Sequence, residues 1–200
     1  MTISHIVSRF TFGACVMAIA LQSNAQMLGV TFYAQAQMTT KLGDVTGCGF
    51  SLTAAHIGQI SNIGYDGSIH AYLAGFTGFK GGLFDITVAQ DGKSLHSKTP
   101  SHFKLAWAKV ASGKPLSPVP ADNYIASESP DYRMFATSLL DGIPLLIRSA
   151  EGENLWLGFK SEQGRELVLN GKVEWEEGAK DQFDSCFQSL GTAEPGLEAR

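Results

Sequence analysis

Residues 45–55 have the sequence VTGCGFSLTAA, a run of small, apolar and β-forming residues around Cys48. This composition is typical of a buried β-strand. Segments of comparable content follow at residues 68–76, 83–89 and 103–107. The first half of the chain is therefore predicted to consist mainly of β-strands.

Side-chain alternation and turn signals indicate how these strands are arranged. Phe103, Leu105 and Trp107 alternate with smaller or more polar residues, so the three apolar side chains are predicted to lie on one face of their strand. Asx–Gly dipeptides favour two-residue hairpin turns, because glycine tolerates the positive φ that these turns need. We expect antiparallel hairpins at three of these dipeptides, Asp66-Gly67, Asp91-Gly92 and Asn170-Gly171.

Two helices are predicted in the second half of the chain. Ser129 and Pro130 suit the N-cap and the first helical position. The apolar residues that follow at helical spacing, before Asp141-Gly142, are Tyr132, Phe135, Ala136, Leu139 and Leu140. The second helix covers residues 179–190, with Cys186 on its apolar stripe. Three short strands are expected between the helices, at residues 144–148, 155–160 and 166–169.

The predicted fold class is α+β: a β-rich antiparallel sheet or sandwich with two helices in the C-terminal half. Residues 26–190 are predicted to form one globular domain, a length that suits a single core. Four of the seven prolines lie in residues 113–130, so a subdivision near that segment stays open. Residues 191–200 are predicted to form a disordered tail.

The first 25 residues have the three parts of a secretory signal peptide. Arg9 precedes an apolar run over residues 10–21, and Ser23 and Ala25 place small residues before a cleavage site. The run is much shorter than the roughly 20 residues that span a bilayer. It also continues past Cys15, which disfavours that residue as a lipid attachment site. The protein is therefore expected to be exported, periplasmic or extracellular, with no transmembrane segment in the mature chain.

Cleavage would leave two of the three cysteines, Cys48 and Cys186. In an oxidising compartment two thiols are most simply explained by one disulfide, which here would close a long loop. Two buried free thiols are the alternative. No Cys-x-x-Cys pair is present, so nothing in the sequence points to a thioredoxin-like redox function.

Charge and motifs exclude several functional classes. The chain has a formal net charge of −4 and no basic run, so nucleic-acid binding is not expected. The sequence has no His-Glu-x-x-His motif, no phosphate-binding loop and no serine-hydrolase motif. No metal ligands, cofactor or catalytic residues are therefore predicted.

The sequence favours an exported, envelope-associated binding or accessory module without catalytic activity. Its partner would be an unidentified protein or envelope component, bound at sheet edges or at an aromatic patch. Phe76 and Phe79, in a glycine-rich segment predicted as a hairpin tip, are the candidate contact surface if they are exposed; the alternative is burial in the core, where most phenylalanines of a small domain lie. The alternative is a small secreted hydrolase whose site is dispersed in sequence, with His70 and Asp85 meeting across neighbouring strands and His102 as a further candidate.

Overall fold

A computed structural model describes residues 25–58, 62–88, 95–117, 119–120 and 133–192. The described elements, in chain order, are β1 Gln26–Gly29, β2 Phe32–Lys41, β3 Asp44–Ile57, β4 Asn62–Tyr72, β5 Phe76–Val88, β6 Leu95–Pro100, β7 Phe103–Val110, β8 Val119–Pro120, β9 Arg133–Ser138, α1 Leu139–Ala150, β10 Leu155–Ser161, β11 Glu166–Gly171, β12 Val173–Trp175 and α2 Ala179–Thr192. The predicted fold class is confirmed: the protein is β-rich, and both helices lie in the C-terminal half.

The strands form two sheets. The larger sheet has eight strands in the order β12-β2-β3-β4-β5-β9-β8, with β6 also paired to β5. The smaller sheet has four strands in the order β1-β11-β10-β7. Neighbouring strands run antiparallel except in two pairs, β1 with β11 and β12 with β2.

Those two parallel pairs connect the sheets. The chain leaves the small sheet after β1 and again after β11, and each time it enters the large sheet within a few residues. The two crossings lie side by side: the Val30 and Phe32 amides donate to the Asn170 and Lys172 carbonyls, each at 2.9 Å. Strands that change sheets in this way form the corners of two-sheet folds.

The hairpin predicted at Asn170-Gly171 is therefore wrong, because this dipeptide lies at a crossing between sheets. A Cβ at Gly171 would overlap the Val30 carbonyl of the neighbouring crossing, so the glycine permits close approach of two backbones. The sequence pattern of a tight turn and that of a close backbone approach are the same, since both require glycine.

The hairpin predicted at Asp66-Gly67 is also wrong, since both residues lie in the middle of β4. Gly67 is needed there because the Tyr65 ring occupies the space that a Cβ would fill. The third predicted hairpin, at Asp91-Gly92, lies outside the described residues. The strands on either side of it, β5 and β6, pair antiparallel.

The first predicted helix is misplaced at both ends, because residues 133–138 form a strand and Asp141-Gly142, where the helix was predicted to end, lie inside α1. Residues 133–138 form β9, which pairs with β5, and α1 begins only at Leu139. The Oγ of Ser138 caps this helix by accepting a hydrogen bond from the Asp141 amide, at 3.2 Å. The strand predicted at residues 144–148 is likewise wrong, because it lies inside α1. The part of the predicted helix before residue 133 lies outside the described residues.

A reason for this error is that β9 is buried on both faces. Phe135 faces the core opposite Phe79, and Ala136 lies opposite Gly78 on the other face; both are buried. Apolar residues at 135, 136 and 139 have the spacing of one helix face, and the same residues also suit a strand that is buried on both faces. Pairing with β5 selects the strand, so tertiary contacts override the local pattern.

The second predicted helix and the short strands around residues 155–160 and 166–169 are confirmed as α2, β10 and β11. The division into a leader over residues 1–25, a domain over 26–190 and a tail over 191–200 stays a prediction. Residues 1–24 and 193–200 lie outside the described residues, and α2 extends to Thr192. Both helices pack on the large sheet, and one cluster of buried apolar residues draws on both halves of the chain.

Candidate functional site: the open edge of strand β2

The predicted disulfide is confirmed. Cys48 on β3 and Cys186 on α2 are bonded, with their Cα atoms 5.8 Å apart. The Phe183 ring packs against Phe50 and Trp175, with centroids 5.5 and 5.3 Å away. These contacts hold α2 firmly over β2 and β3.

Strand β2 is paired along only part of one edge. Strand β12 accompanies it from Phe32 to Ala34, after which the chain turns away through a hydrogen bond from the Glu176 amide to the Ala34 carbonyl, 3.1 Å long. On the other edge, β3 pairs with β2 as far as Lys41. Among the described residues, no strand pairs with the β12 side of β2 beyond Ala34.

The backbone of this open edge is oriented for further pairing. On the side of β2 that faces β12, the Phe32 amide donates to the Lys172 carbonyl, and the Ala34 carbonyl accepts from the Glu176 amide. Because backbone groups of alternate residues point to the same edge, the N–H and C=O groups of Ala36 and Met38 face outward. An exposed row of this kind is a template for another strand.

A groove of about 500 Å³ runs between this edge and α2. Ala36 and Met38 lie on the strand side, and Gln182, Ser185 and Cys186 lie on the helix side. The Met38 side chain is 58% exposed, although its cross-strand neighbour Cys48 is fully buried. A flexible, polarisable methionine at such a place adapts to side chains of different shape.

The contact surface predicted at Phe76 and Phe79 is not formed as expected. The hairpin tip lies at residues 73–75, and both phenylalanines belong to β5. Phe79 is only 2% exposed and packs in the core, so the prediction is wrong for that residue. Phe76 is partly buried and stacks on Tyr72, with ring centroids 4.7 Å apart.

The residues suggested for a hydrolase are not brought together. His70 lies opposite Gly78, whereas Asp85 lies opposite Ile63, seven residues further along β4. That separation is roughly 23 Å at the rise of a β-strand. The pairing of His70 with Asp85 across the sheet is therefore wrong, and His102 lies apart from both, in the connection between β6 and β7.

His70 instead lies on the face of the large sheet that points away from the helices. It is 8% exposed, and its ring occupies the space over Gly49 beside the Tyr72 ring. Burial lowers the pKa of the His70 imidazole to about 4, because desolvation disfavours the charged form. The ring is thus neutral near pH 7.

In the part of the chain that the structure describes, no group of three or more His, Cys, Asp or Glu side chains is placed to hold a metal ion. No helix in that part is both long and apolar enough to span a bilayer. No family model, curated protein or solved structure matches the chain. The candidate binding site is therefore inferred from the geometry of the described residues.

Sequence reasoning missed the edge of β2, although a signal was present. In residues 32–41, FYAQAQMTTK, small or apolar residues at 34, 36 and 38 alternate with Tyr33, Gln35 and Gln37. That period of two is typical of a half-buried strand. Nothing in it distinguishes an edge strand from a central one, since strand order is a property of the whole sheet.

Proposed function

We propose that this protein is an exported, envelope-associated binding module that takes up an extended segment of a partner protein at the open edge of β2. The observation that carries the proposal is the outward-facing backbone of Ala36 and Met38 beside a groove walled by α2. Recognition by strand addition uses main-chain hydrogen bonds for affinity and pockets for alternate side chains for specificity. The edge and the groove supply these two elements together.

The rigidity of the site supports this function. The disulfide and the aromatic contacts of Phe183 fix α2 at one distance from β2. A partner segment would therefore be ordered without reorganising the groove, which lowers the free-energy cost of binding. The mode of export rests on the leader pattern of residues 1–25, and the disulfide is typical of an oxidising compartment.

The alternative, a small secreted hydrolase, gains no support from the described residues. Its two candidate residues, His70 and Asp85, lie seven residues apart along the sheet. The pKa of the His70 imidazole is lowered by burial, and no carboxylate contributes to this shift. We therefore retain the non-catalytic module as the proposed function.

Strand addition can be tested with peptides selected by phage display on the folded, oxidised protein. Binding of a selected peptide should slow hydrogen exchange at the Ala36 and Met38 amides, measured by NMR. Gln35 and Gln37 belong to the edge already paired with β3 and should change less. Protection confined to another part of the molecule would contradict the proposal.

Met38→Pro provides a matched variant, because it removes an outward N–H without removing a bond to β3. It should abolish peptide binding while leaving the circular dichroism spectrum unchanged. Leu42→Lys is the control, since Leu42 is 97% exposed in the turn after β2 and does not line the groove. Equal peptide affinity for Met38→Pro and the unmodified protein would refute the site.

A further inference from the structure

The outer face of the four-stranded sheet carries two tryptophans, Trp107 and Trp156. A β-bulge at Ala106 makes Gly158 pair with Trp107 while Phe159 pairs with Leu105. The extra residue turns Leu105 toward the core and Trp107 toward the outer face, so the predicted common face of these two side chains is wrong.

The Trp107 indole lies flat across β10. The three atoms nearest to a Cβ built at Gly158 all belong to this ring, so any side chain larger than hydrogen would displace it. The indole N–H donates to Glu166 on β11 at 2.6 Å, which fixes the ring in its plane. One ring face thus rests on the sheet, and the partly exposed side chain presents the other to solvent.

Trp156 lies on the same face, two residues along β10, and is also partly exposed. That step corresponds to about 7 Å along the strand. Its cross-strand neighbours are Lys109 and Asn170, and the Lys109 ammonium lies 4.7 Å from the centre of its ring. The two rings form a short aromatic platform.

The platform contains an unpartnered donor and an unpartnered acceptor. The indole nitrogen of Trp156 and the side-chain oxygen of Asn170 are both buried, and neither has a hydrogen-bond partner among the described residues. Leaving such groups unpaired is costly. The two residues lie directly opposite each other, so one ligand hydroxyl, which both donates and accepts, serves both when their side chains turn toward solvent.

The charged residues of this face are mixed, with lysines in excess. Lys109 and Lys160 lie on it, and among the described residues neither forms an ion pair with a carboxylate; Glu166, opposite Lys160, accepts the Trp107 indole N–H. The chain as a whole has a formal net charge of −4. Two cations without carboxylate partners beside an aromatic platform complement a ligand that carries negative charge.

We propose that this tryptophan face, formed by Trp107, Trp156, Asn170, Lys109 and Lys160, binds an acidic polysaccharide. The C–H face of a pyranose ring stacks on the flat Trp107 indole, sugar hydroxyls serve the Trp156 and Asn170 pair, and sugar carboxylates pair with the lysines. The inference is independent of strand addition at β2. It gives an envelope-associated module a second surface, directed at a glycan.

The probes are polygalacturonate, alginate and hyaluronate, with methyl-esterified polygalacturonate as the neutral form of the same chain. Binding is measured by isothermal titration calorimetry and by tryptophan fluorescence. At least one acidic polymer should bind more tightly than the esterified chain, and added salt should weaken it. Absence of binding to all three acidic polymers, or equal binding of the esterified chain, would overturn the proposal.

Trp107→Ala should weaken binding on the order of tenfold, as expected for a central tryptophan contact. Tyr33→Ala is its control, because Tyr33 is a 54% exposed aromatic residue on the other sheet. If Trp107→Ala does not fold, the double variant Lys109→Met, Lys160→Met provides the test. It should lose the preference for acidic over esterified polygalacturonate. An unchanged preference would overturn the proposal, and Met38→Pro should bind like the unmodified protein.

Discussion

The two faces of the eight-stranded sheet are both buried at their centres, but by different kinds of residue. The inner face carries large apolar side chains such as Phe50, Ile69 and Phe79, covered by α1, α2 and the small sheet. The outer face carries Gly49 and His70, with the imidazole lying over the glycine. Packing on the inner face therefore depends on the volume of apolar side chains and on the disulfide to α2. Packing on the outer face depends on the close approach of the His70 ring to the Gly49 backbone.

This difference has a consequence for stability. Apolar packing does not involve protons, and burial raises the pKa of the Tyr65 phenol on this face far above neutrality, so the contribution of the inner face is independent of pH between 4 and 7. The outer face buries a titratable ring whose charged form is disfavoured. Substitutions and pH should therefore separate the two faces.

Removing the disulfide should have the largest effect, because it anchors α2 to the inner face across a sequence separation of 138 residues. Replacing both Cys48 and Cys186 with Ala should lower the free energy of unfolding by about 4–5 kcal/mol, by the loss of loop-closure entropy. Urea denaturation measures this loss. A change below about 1 kcal/mol would mean that the Phe183 contacts alone hold α2.

Leu146→Ala tests the other helix of the inner face, which has no covalent anchor among the described residues. Leu146 is fully buried, so the loss should be about 2–5 kcal/mol in the same urea assay. Leu140→Ala is the matched control on α1, because that side chain is 87% exposed. It should change stability by less than about 0.5 kcal/mol, and equal losses in the two variants would contradict this packing of α1.

The outer face should make stability depend on pH through His70. The pKa of its imidazole is lowered to about 4, against about 6.5 in an unfolded chain. Between these values the unfolded state binds more protons, so stability should fall as the pH drops from 6.5 to 4, by on the order of 3 kcal/mol. Above pH 6.5 this contribution should be constant.

His70→Gln removes this titration, and its stability should vary less between pH 4 and 7 than that of the unmodified protein. The control is His102→Gln, an exposed residue outside the sheet face, which should leave the pH dependence in place. Thermal unfolding at a series of pH values distinguishes the two. Identical profiles for His70→Gln and the unmodified protein would remove His70 as the cause.

Gly49→Ala tests the close approach of the ring directly. A Cβ at this position would overlap the Ile69 carbonyl and crowd the His70 ring, so a loss of about 1–3 kcal/mol is expected from overpacking. Gly29→Ala is the control, because nothing lies within 4 Å of a Cβ there. Denaturant titration of both variants checks the prediction, and equal stabilities would show that Gly49 is not required by packing.

Much of the fold was predictable where local pattern and tertiary environment agree. The strand around Cys48, the strands β10 and β11, and helix α2 have clear periodicity or composition, and all were predicted. The disulfide followed from cysteine number and the expected compartment. In these regions one arrangement satisfies both the local preferences and the core.

Predictions were wrong where one sequence pattern has two structural solutions. Phe135, Ala136 and Leu139 suit a helix or a doubly buried strand, and pairing with β5 decides between them. Asn170-Gly171 suits a hairpin or a close crossing of two backbones. By strand alternation Trp107 should lie on the same face as Leu105, but a β-bulge between them places the two side chains on opposite faces.

Composition and periodicity were enough to predict the β-rich content, the helix that carries Cys186 and the cysteine pair that joins this helix to the large sheet. The backbone edge that stays open at Ala36 and Met38, and the face shared by the tryptophans, became visible only once the strands were paired. The physical reason is that composition and periodicity act within a few residues. Strand order, bulges and sheet crossings depend instead on hydrogen bonds between segments far apart in the chain.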